Sequence, residues 1–123
     1  MHDHDELTEQ IIAAAIEVHQ VLGPGLLESI YEEALVVELL SRGLACQRQV
    51  EVDVVYKGSV IKGQRLDLLV AEEVIVEAKS VARLPDVALA QVLSYLKATR
   101  LKRGLILNFG CSRMVDGVKR VSL

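Results

Sequence analysis

Three charged side chains on two apolar segments have the types and spacing of a hydrolytic metal site. In VIVEAKS (residues 74–80), Glu77 and Lys79 are two residues apart, so a strand would direct both side chains from one face. Asp67 lies ten residues before Glu77, in the apolar segment RLDLLV. If the two segments form a tight hairpin, the Asp67 and Glu77 carboxylates come close together on one face.

Two adjacent carboxylates repel each other, and burial increases the cost. Mg²⁺ or Mn²⁺ would remove that cost, because these cations bind one or two carboxylates and complete their coordination with water. Lys79 could then orient or deprotonate the attacking water, which predicts phosphodiester hydrolysis. The alternative is an ion pair between Glu77 and Lys79 at an exposed sheet edge. Arg65, two residues before Asp67, is either a salt partner of Glu77 or a phosphate contact.

Two further pairs of polar residues lie at helical spacing. Glu28 and Tyr31 are three residues apart in GLLESIY, and Gln91 and Tyr95 are four apart in QVLSYLKAT, so each pair shares a helix face. An acid in a first helical turn also suits the helix dipole, so Glu28 could serve only to stabilise the helix. Gln91 and Tyr95 could equally be the solvent-facing side of an ordinary amphipathic helix.

The elements that must position these residues follow from the hydrophobic pattern. Helical spacing covers residues 7–22 and 26–41 and, after Pro85, residues 85–99; strand patterns cover 50–54, 60–70, 73–79 and 104–109, with a short edge strand or hairpin at the end of the chain. We expect the first three strands to form an antiparallel meander. The third strand, third helix and fourth strand should form a β-α-β unit with parallel strands. Residues 1–6 are expected to be a flexible tail and residues 7–123 a single domain.

Composition limits the classes of protein that fit. The 123 residues carry a net charge of −3, but residues 1–78 are acidic and residues 79–123 are basic. The basic half could contact phosphate, or its charges could simply lie on solvated faces. No apolar run is long enough to span a bilayer, and no export signal is recognisable, so we expect a cytoplasmic protein without membrane contact. Cys46 and Cys111 are then expected to be free thiols.

The same motifs carry a family resemblance. GPGLLESIY resembles the signature of the GxxExxY proteins, with Gly25, Glu28 and Tyr31 at the signature positions. The resemblance extends from about residue 7 to the C-terminus and includes the RLDLLV, VIVEAKS, QVLSYLKAT and GLILNFG segments. It implies membership of the PD-(D/E)xK nuclease superfamily. The implied fold is α/β, with a restriction-endonuclease-like αβββαβ core, a mixed central sheet flanked by helices, and here an extra N-terminal helix.

The resemblance also implies roles for individual residues. Asp67 and Glu77 match the metal-binding acids, and Lys79 matches the lysine of the (D/E)xK motif. Glu28 matches an acid on the first core helix that serves either as a further metal ligand or as a residue that contacts the ligands without touching the metal. Gln91 matches a polar residue that positions the attacking water or the phosphate. The supporting residues are expected to be Tyr31, Arg65 and Tyr95, with each tyrosine hydroxyl bonded to a carboxylate or a phosphate.

These observations predict a Mg²⁺- or Mn²⁺-dependent nuclease, with DNA rather than RNA as its expected substrate. The catalytic residues would be Asp67, Glu77, Lys79 and Gln91, with the metal held by Asp67, Glu77 and Glu28. The alternative is a catalytically inactive module with the nuclease fold that binds nucleic acid or a protein partner. A homodimer formed through a sheet edge is a further expected partner arrangement.

Overall fold

The computed structural model describes residues 5–123. In chain order the elements are α1 Glu6–Leu22, α2 Glu28–Ser41, β1 Cys46–Tyr56, β2 Ser59–Val70, β3 Val74–Lys79, α3 Asp86–Thr99, β4 Arg103–Asn108, a 3₁₀ turn Met114–Asp116 and β5 Val118–Ser122. This order confirms the predicted succession of elements, including the edge strand near the C-terminus. Within residues 5–123, no helix has both the length and the apolar character needed to cross a membrane.

The first helix starts earlier than its hydrophobic pattern predicts. Asp5 is the N-cap, and its Oδ1 accepts a hydrogen bond of 2.8 Å from the backbone N–H of Thr8. Such a cap satisfies one of the N–H groups that a helix start leaves unpaired. Asp5 and Glu6 therefore belong to the folded part, and the predicted tail of residues 1–6 is wrong for these two. The rest of that prediction concerns residues 1–4, which lie outside the described residues.

The connection between α1 and α2 is held by the side chain of Tyr31. Its hydroxyl donates to the carbonyl oxygen of Gly23 and accepts a hydrogen bond of 3.1 Å from the N–H of Leu26. The ring is fully buried and stacks on Phe109, with the ring centroids 4.4 Å apart. Because Leu26 is held in the turn, α2 begins at Glu28, two residues later than predicted.

The five strands form one mixed sheet in the order β1-β2-β3-β4-β5. The first three strands are an antiparallel meander, β3 and β4 are parallel, and β5 pairs antiparallel with β4. Helix α3 connects the two parallel strands, so the predicted meander and β-α-β unit are confirmed. β1 is longer than predicted and, with β2, forms a long hairpin at one edge of the sheet.

Each face of the sheet is covered by helices, which gives two hydrophobic cores. Helices α1 and α2 cover one face, and α3 covers the other. The first core includes Ile11, Leu35, Leu68, Val76 and Leu105, and the second includes Leu66, Ile75, Val92, Leu96 and Ile106. Because both faces are buried, β3 and β4 are apolar almost without interruption, as expected for central strands between two helical layers.

The pairing of β1 with β2 is interrupted beside the centre of the sheet, in addition to a register shift between Val52 and Val54. The strands pair on either side of Gln49 and Asp67 but not at these two residues, and Gln49 has a φ of +52°. Such a value is uncommon for a residue other than glycine. Leu68 packs in the α1/α2 core, whereas Leu66 packs in the α3 core. In a regular strand both side chains would point to the same face of the sheet. The side chains of β2 therefore switch from one face of the sheet to the other at Asp67.

Tyr31→Phe should lower the free energy of unfolding by about 1–3 kcal/mol, because the Gly23 carbonyl and Leu26 N–H lose a shared partner while the stacked ring is kept. Urea unfolding measures this change. Tyr56→Phe is the matched control, because Tyr56 is 60% exposed and its hydroxyl has no hydrogen bond to residues 5–123. Equal stability losses in the two variants would contradict the role assigned to Tyr31.

Candidate active site

The carboxylates of Asp67 and Glu77 meet where the backbone ladder between β2 and β3 ends. The last paired positions on this side are Leu68 and Val76. Beyond them the N–H of Asp67 donates to Glu77 Oε2 at 2.7 Å, and the N–H of Ala78 donates to Asp67 Oδ2 at 2.9 Å. Each carboxylate therefore accepts a backbone donor that the ladder leaves unpaired. The structure brings the two acids together, as their spacing predicts.

Burial makes both acids unusually difficult to ionise. Glu77 is 3% exposed, and desolvation, followed by the charge of Asp67, raises its pKa from 4.5 to about 7. Desolvation is also the main reason why the pKa of Asp67 is raised. The backbone hydrogen bonds and the charge of Lys79 act in the opposite direction. Without a further positive charge, the pair does not readily carry two negative charges at neutral pH.

Each carboxylate of this pair has one oxygen that could bind a small divalent cation. Asp67 Oδ1 and Glu77 Oε1 accept no hydrogen bond from residues 5–123, so each carboxylate keeps one oxygen for a ligand. Within those residues, no group of three or more His, Cys, Asp or Glu side chains could hold a metal ion. Mg²⁺ often binds one or two carboxylates together with water and substrate phosphate. Asp67 and Glu77 could supply these two carboxylates, with water and substrate phosphate as the remaining ligands.

Lys79 is on the same face of β3 as Glu77 and is half-buried. It makes no ion pair with any carboxylate of residues 5–123, although its charge lowers the pKa of both Asp67 and Glu77. The alternative of an ion-paired Glu77 and Lys79 at an exposed edge is wrong, because Glu77 is buried and accepts a backbone N–H instead. The Lys79 ammonium is left available for a ligand.

The loop that follows Lys79 is fixed by a buried asparagine. Asn108 lies opposite Lys79 on the parallel strand β4 and is 4% exposed. Its Oδ1 accepts the N–H of Val81 at 3.1 Å, and its Nδ2 donates to the Val81 carbonyl at 3.0 Å. A Cβ at Gly110 would lie 2.2 Å from the Val81 oxygen, so this close approach requires glycine. The end of β3 is therefore held in a defined position.

Helix α2 brings two acids to the same region. The Ser80 hydroxyl donates to the Leu26 carbonyl at 2.7 Å, which ties the start of α2 to the end of β3. Glu28 is exposed in the first turn, and its charge raises the pKa of Asp67. Glu32, one turn later, is 6% exposed, and its charge raises the pKa of both strand carboxyls. The buried acid of α2 is thus Glu32, and the role of Glu28 as a metal ligand stays a prediction.

Helix α3 approaches the pair from the other face. Tyr95 is 2% exposed, and burial, followed by the charges of Glu77 and Asp67, raises its pKa to about 12. Its hydroxyl donates to the Arg65 carbonyl at 3.1 Å. Gln91 lies one turn towards the start of α3 on the same side and is half-buried. Its amide makes no hydrogen bond to residues 5–123, and its role stays a prediction.

One of the two predictions for Arg65 is wrong. Arg65 is exposed, and its Nη1 donates to the Gln49 carbonyl at 3.4 Å, while no ion pair joins it to Glu77. The prediction assumed that Arg65 and Asp67, two residues apart, share a face. β2 changes its facing at Asp67, so the assumption fails at this position. A phosphate contact by Arg65 stays a prediction.

The predicted contacts of the tyrosine hydroxyls with carboxylates are also wrong, whereas a contact with a phosphate stays a prediction. Tyr31 is fully buried, with its hydroxyl engaged by the turn before α2. Tyr95 lies near the two acids, but its hydroxyl bonds a backbone carbonyl. Both residues support the fold around the site, and neither hydroxyl donates to a carboxylate of residues 5–123.

One arginine of the basic C-terminal half, Arg103, is paired with acids away from the two carboxylates. Arg103 pairs with Asp5 and, at 2.8 Å, with Glu73. Arg103 is opposite Val74 at the start of β3, whereas Lys79 is at its end. Arg103 therefore lies at the other end of the strand from the site, and its charge is already compensated.

Two polar residues of this region, Glu32 and Asn108, were not predicted from the sequence to belong to the site. Glu32 could have been suggested by its position four residues after Glu28, which places both on one helix face. Asn108 is the single polar residue in the apolar run GLILNF, and a polar residue at a buried position needs partners. Neither signal identifies those partners.

The comparison with known families agrees with this geometry. Residues 5–121 match the model of the PD-(D/E)XK nuclease superfamily. The chain belongs to the PD-(D/E)XK nuclease superfamily. This confirms the predicted superfamily, and the mixed sheet with its helices is consistent with a restriction-endonuclease-like fold. No curated protein and no solved structure matches the chain significantly.

Without a divalent cation, the protein should lose stability as the pH rises from 4.5 to about 7. The pKa of Glu77 is raised in the folded state, so the folded chain holds a proton that the unfolded chain releases in this range. The full change should be on the order of 3 kcal/mol. Urea unfolding in EDTA at several pH values measures it.

Glu77→Gln should lack this pH-dependent loss, because the amide keeps the shape of the side chain and cannot ionise. Asp53→Asn is the control, since Asp53 is an exposed acid on β1, 2.7 Å from Lys62. The same pH slope in wild type and Glu77→Gln would contradict the raised pKa of Glu77.

Proposed function

We propose that the protein is a Mg²⁺- or Mn²⁺-dependent nuclease that hydrolyses phosphodiester bonds, in DNA rather than RNA. The observation that carries this proposal is the buried Asp67–Glu77 pair beside an uncommitted Lys79, in a chain of the PD-(D/E)XK nuclease superfamily. The preference for DNA rests on the resemblance to DNA-cleaving members of that superfamily.

Asp67 and Glu77 would hold the cation through the oxygens that accept no hydrogen bond. When bound, the cation neutralises the two carboxylates and polarises the phosphate to be cleaved. Backbone hydrogen bonds fix the other oxygen of each carboxylate, so the pair is oriented before a ligand arrives. Glu28 is proposed as a further ligand on the basis of the family resemblance.

Lys79 and Gln91 are proposed to act on the substrate and the attacking water. The Lys79 ammonium can donate to a phosphate oxygen and stabilise negative charge that develops there. The Gln91 amide can both donate and accept, so it can orient the water for in-line attack on phosphorus. Tyr95 and Asn108 hold the backbone around these groups and contact no substrate in this proposal.

The concentration of carboxylates in this region favours the binding of a cation. Three further carboxylates lie within electrostatic reach of Asp67: Glu77, whose pKa the charge of Asp67 raises, and Glu32 and Glu28, whose charges raise the pKa of Asp67. A polyanion such as DNA would be repelled by them unless positive charge is added. A bound divalent cation is often the largest local charge in such a site, and it would offset two of these negative charges.

The second candidate is a module with the nuclease fold that binds nucleic acid or a protein without cleaving it. It is favoured by the lack, within residues 5–123, of any three-ligand group of His, Cys, Asp or Glu. The uncommitted Lys79 favours the enzyme, because an inactive module has no reason to leave it without an ion pair.

Three finer expectations remain proposals. The chain is proposed to be a GxxExxY protein, to be cytoplasmic and to form a homodimer. The homodimer would use the edge strand β1, where the hairpin with β2 exposes the apolar side chains of Val54, Val55, Tyr56, Val60 and Ile61.

Purified protein should cleave labelled DNA in the presence of Mg²⁺ or Mn²⁺ and should be inactive in EDTA. Duplex, single-stranded and branched DNA and a matched RNA are the substrates, resolved on denaturing gels. Asp67→Asn and Glu77→Gln should reduce cleavage to background, because each removes a proposed metal ligand. Lys79→Met should reduce the rate at least about 100-fold.

Asp53→Asn and Lys97→Met are the controls, because both side chains are exposed and neither is at the site. Cleavage that persists in Glu77→Gln at the wild-type rate would show that the activity does not come from this site. A wild-type protein that binds these substrates without cleaving any of them would favour the non-catalytic module.

A further inference from the structure

A second polar cluster lies beside the two strand carboxylates and has no role in the proposed cleavage step. At its centre is the buried carboxylate of Glu32 on α2. Glu32 Oε2 accepts from Arg48 Nε at 2.9 Å, and both of its oxygens are 3.1 Å from Gln49 Nε2. Arg48 and Gln49 are consecutive residues of β1, so the cluster joins the helix to the sheet edge.

The cluster is adjacent to Asp67. Arg48 is paired with Leu68, the residue after Asp67, and Gln49 lies across from Asp67 at the interruption of the ladder. The φ of +52° at Gln49 places this residue in a sparsely populated conformation, which costs free energy. The charge of Glu32 raises the pKa of Asp67, in agreement with this proximity.

Within residues 5–123, the Arg48 guanidinium donates a hydrogen bond only through Nε. Nε is bound to Glu32, and Nη1 is 3.9 Å from Glu33, whose side chain is 72% exposed. Neither Nη nitrogen makes a hydrogen bond to residues 5–123, and the Arg48 side chain is 39% exposed. The guanidinium therefore keeps its Nη donors for an external acceptor, and their planar fork suits phosphate.

Joining α2 to β1 does not by itself explain this arrangement. Removing a carboxylate from water is costly, and apolar side chains would join the two elements at least as well. What the buried carboxylate adds is a fixed direction for Arg48, because it holds Nε and leaves the outer donors free. Glu32, which holds Arg48, is close enough to Asp67 for its charge to raise the pKa of that carboxyl, so Arg48 is held near a carboxylate-rich site to which a polyanion must come.

We propose that Arg48 contacts a phosphate of the nucleic acid next to the one that is cleaved, and that Glu32 is the positioning residue that holds Arg48 for this contact. The inference rests on the proposed function, since it takes nucleic acid as the substrate. Arg48 has no part in the chemical step. It adds positive charge where the four acids would otherwise repel the strand.

Binding without turnover tests the proposal. In the Lys79→Met background at constant Mg²⁺, fluorescence anisotropy of a labelled DNA oligonucleotide is measured over a range of KCl concentrations. Adding Arg48→Gln should weaken binding several-fold and reduce the slope of log K against log salt concentration by about one, as expected for one lost phosphate contact. Arg42→Gln, at the far end of α2 and paired with Glu38, should change neither quantity.

The role of Glu32 is tested by a double-mutant cycle. Arg48→Gln should cost less affinity in a Glu32→Gln background than in its absence, because Arg48 is then no longer held. Arg48→Lys keeps the charge and should keep the salt slope, so it also provides a test if Arg48→Gln does not fold. Its affinity should still fall, because Lys lacks the planar fork.

Equal affinity and equal salt slope for Arg48→Gln and Arg42→Gln would overturn the proposal, as would a protein that binds no nucleic acid. If the Arg48 effect is found but wild-type protein never cleaves, the nuclease proposal fails and the phosphate contact stands. If wild-type protein cleaves and Arg48→Gln behaves as the Arg42 control, the phosphate contact fails alone.

Discussion

The repulsion between two buried carboxylates, Asp67 and Glu77, is the constraint on which the rest of the site depends. Their proximity follows from the hairpin of β2 and β3, and their burial from the helices on both faces of the sheet. Each acid is held by a backbone N–H of the other strand, which fixes its direction without neutralising it. The arrangement therefore favours whatever supplies positive charge, either a proton or a cation.

The surrounding elements keep this unfavourable pair in place. Asn108 and Gly110 fix the loop that follows Lys79, and the hydroxyl of Ser80 ties that loop to the start of α2. Tyr31 holds the turn before the same helix. Hydrogen bonds in the layers on either side thus hold the two repelling carboxylates in place. Proteins commonly hold groups in energetically costly positions at functional sites in this way.

The sequence predicts much of this and fails at identifiable points. Strand alternation and the ten-residue separation correctly predict that Asp67 and Glu77 meet, because the intervening turn is short. Strand alternation gives the wrong face for Arg65, because the side chains of β2 switch faces at Asp67. No local sequence pattern indicates such a switch. Glu32 is missed because a glutamate on a helix is ordinarily exposed. The Tyr31 hydroxyl was predicted to bond a carboxylate or a phosphate, whereas it bonds two backbone groups of a turn, since a signature position does not indicate the partner of its side chain.

The proposed nuclease requires that Asp67 and Glu77 together hold one divalent cation. Titration calorimetry with Mn²⁺ tests it most directly, on the full chain with His2 and His4 replaced by alanine in every variant so that these histidines cannot bind the metal. One Mn²⁺ should bind per chain, and Asp67→Asn or Glu77→Gln should abolish binding, whereas Asp53→Asn should not. Unchanged Mn²⁺ binding in Glu77→Gln would contradict the account, as would a wild-type chain that binds no Mn²⁺ either alone or with DNA present.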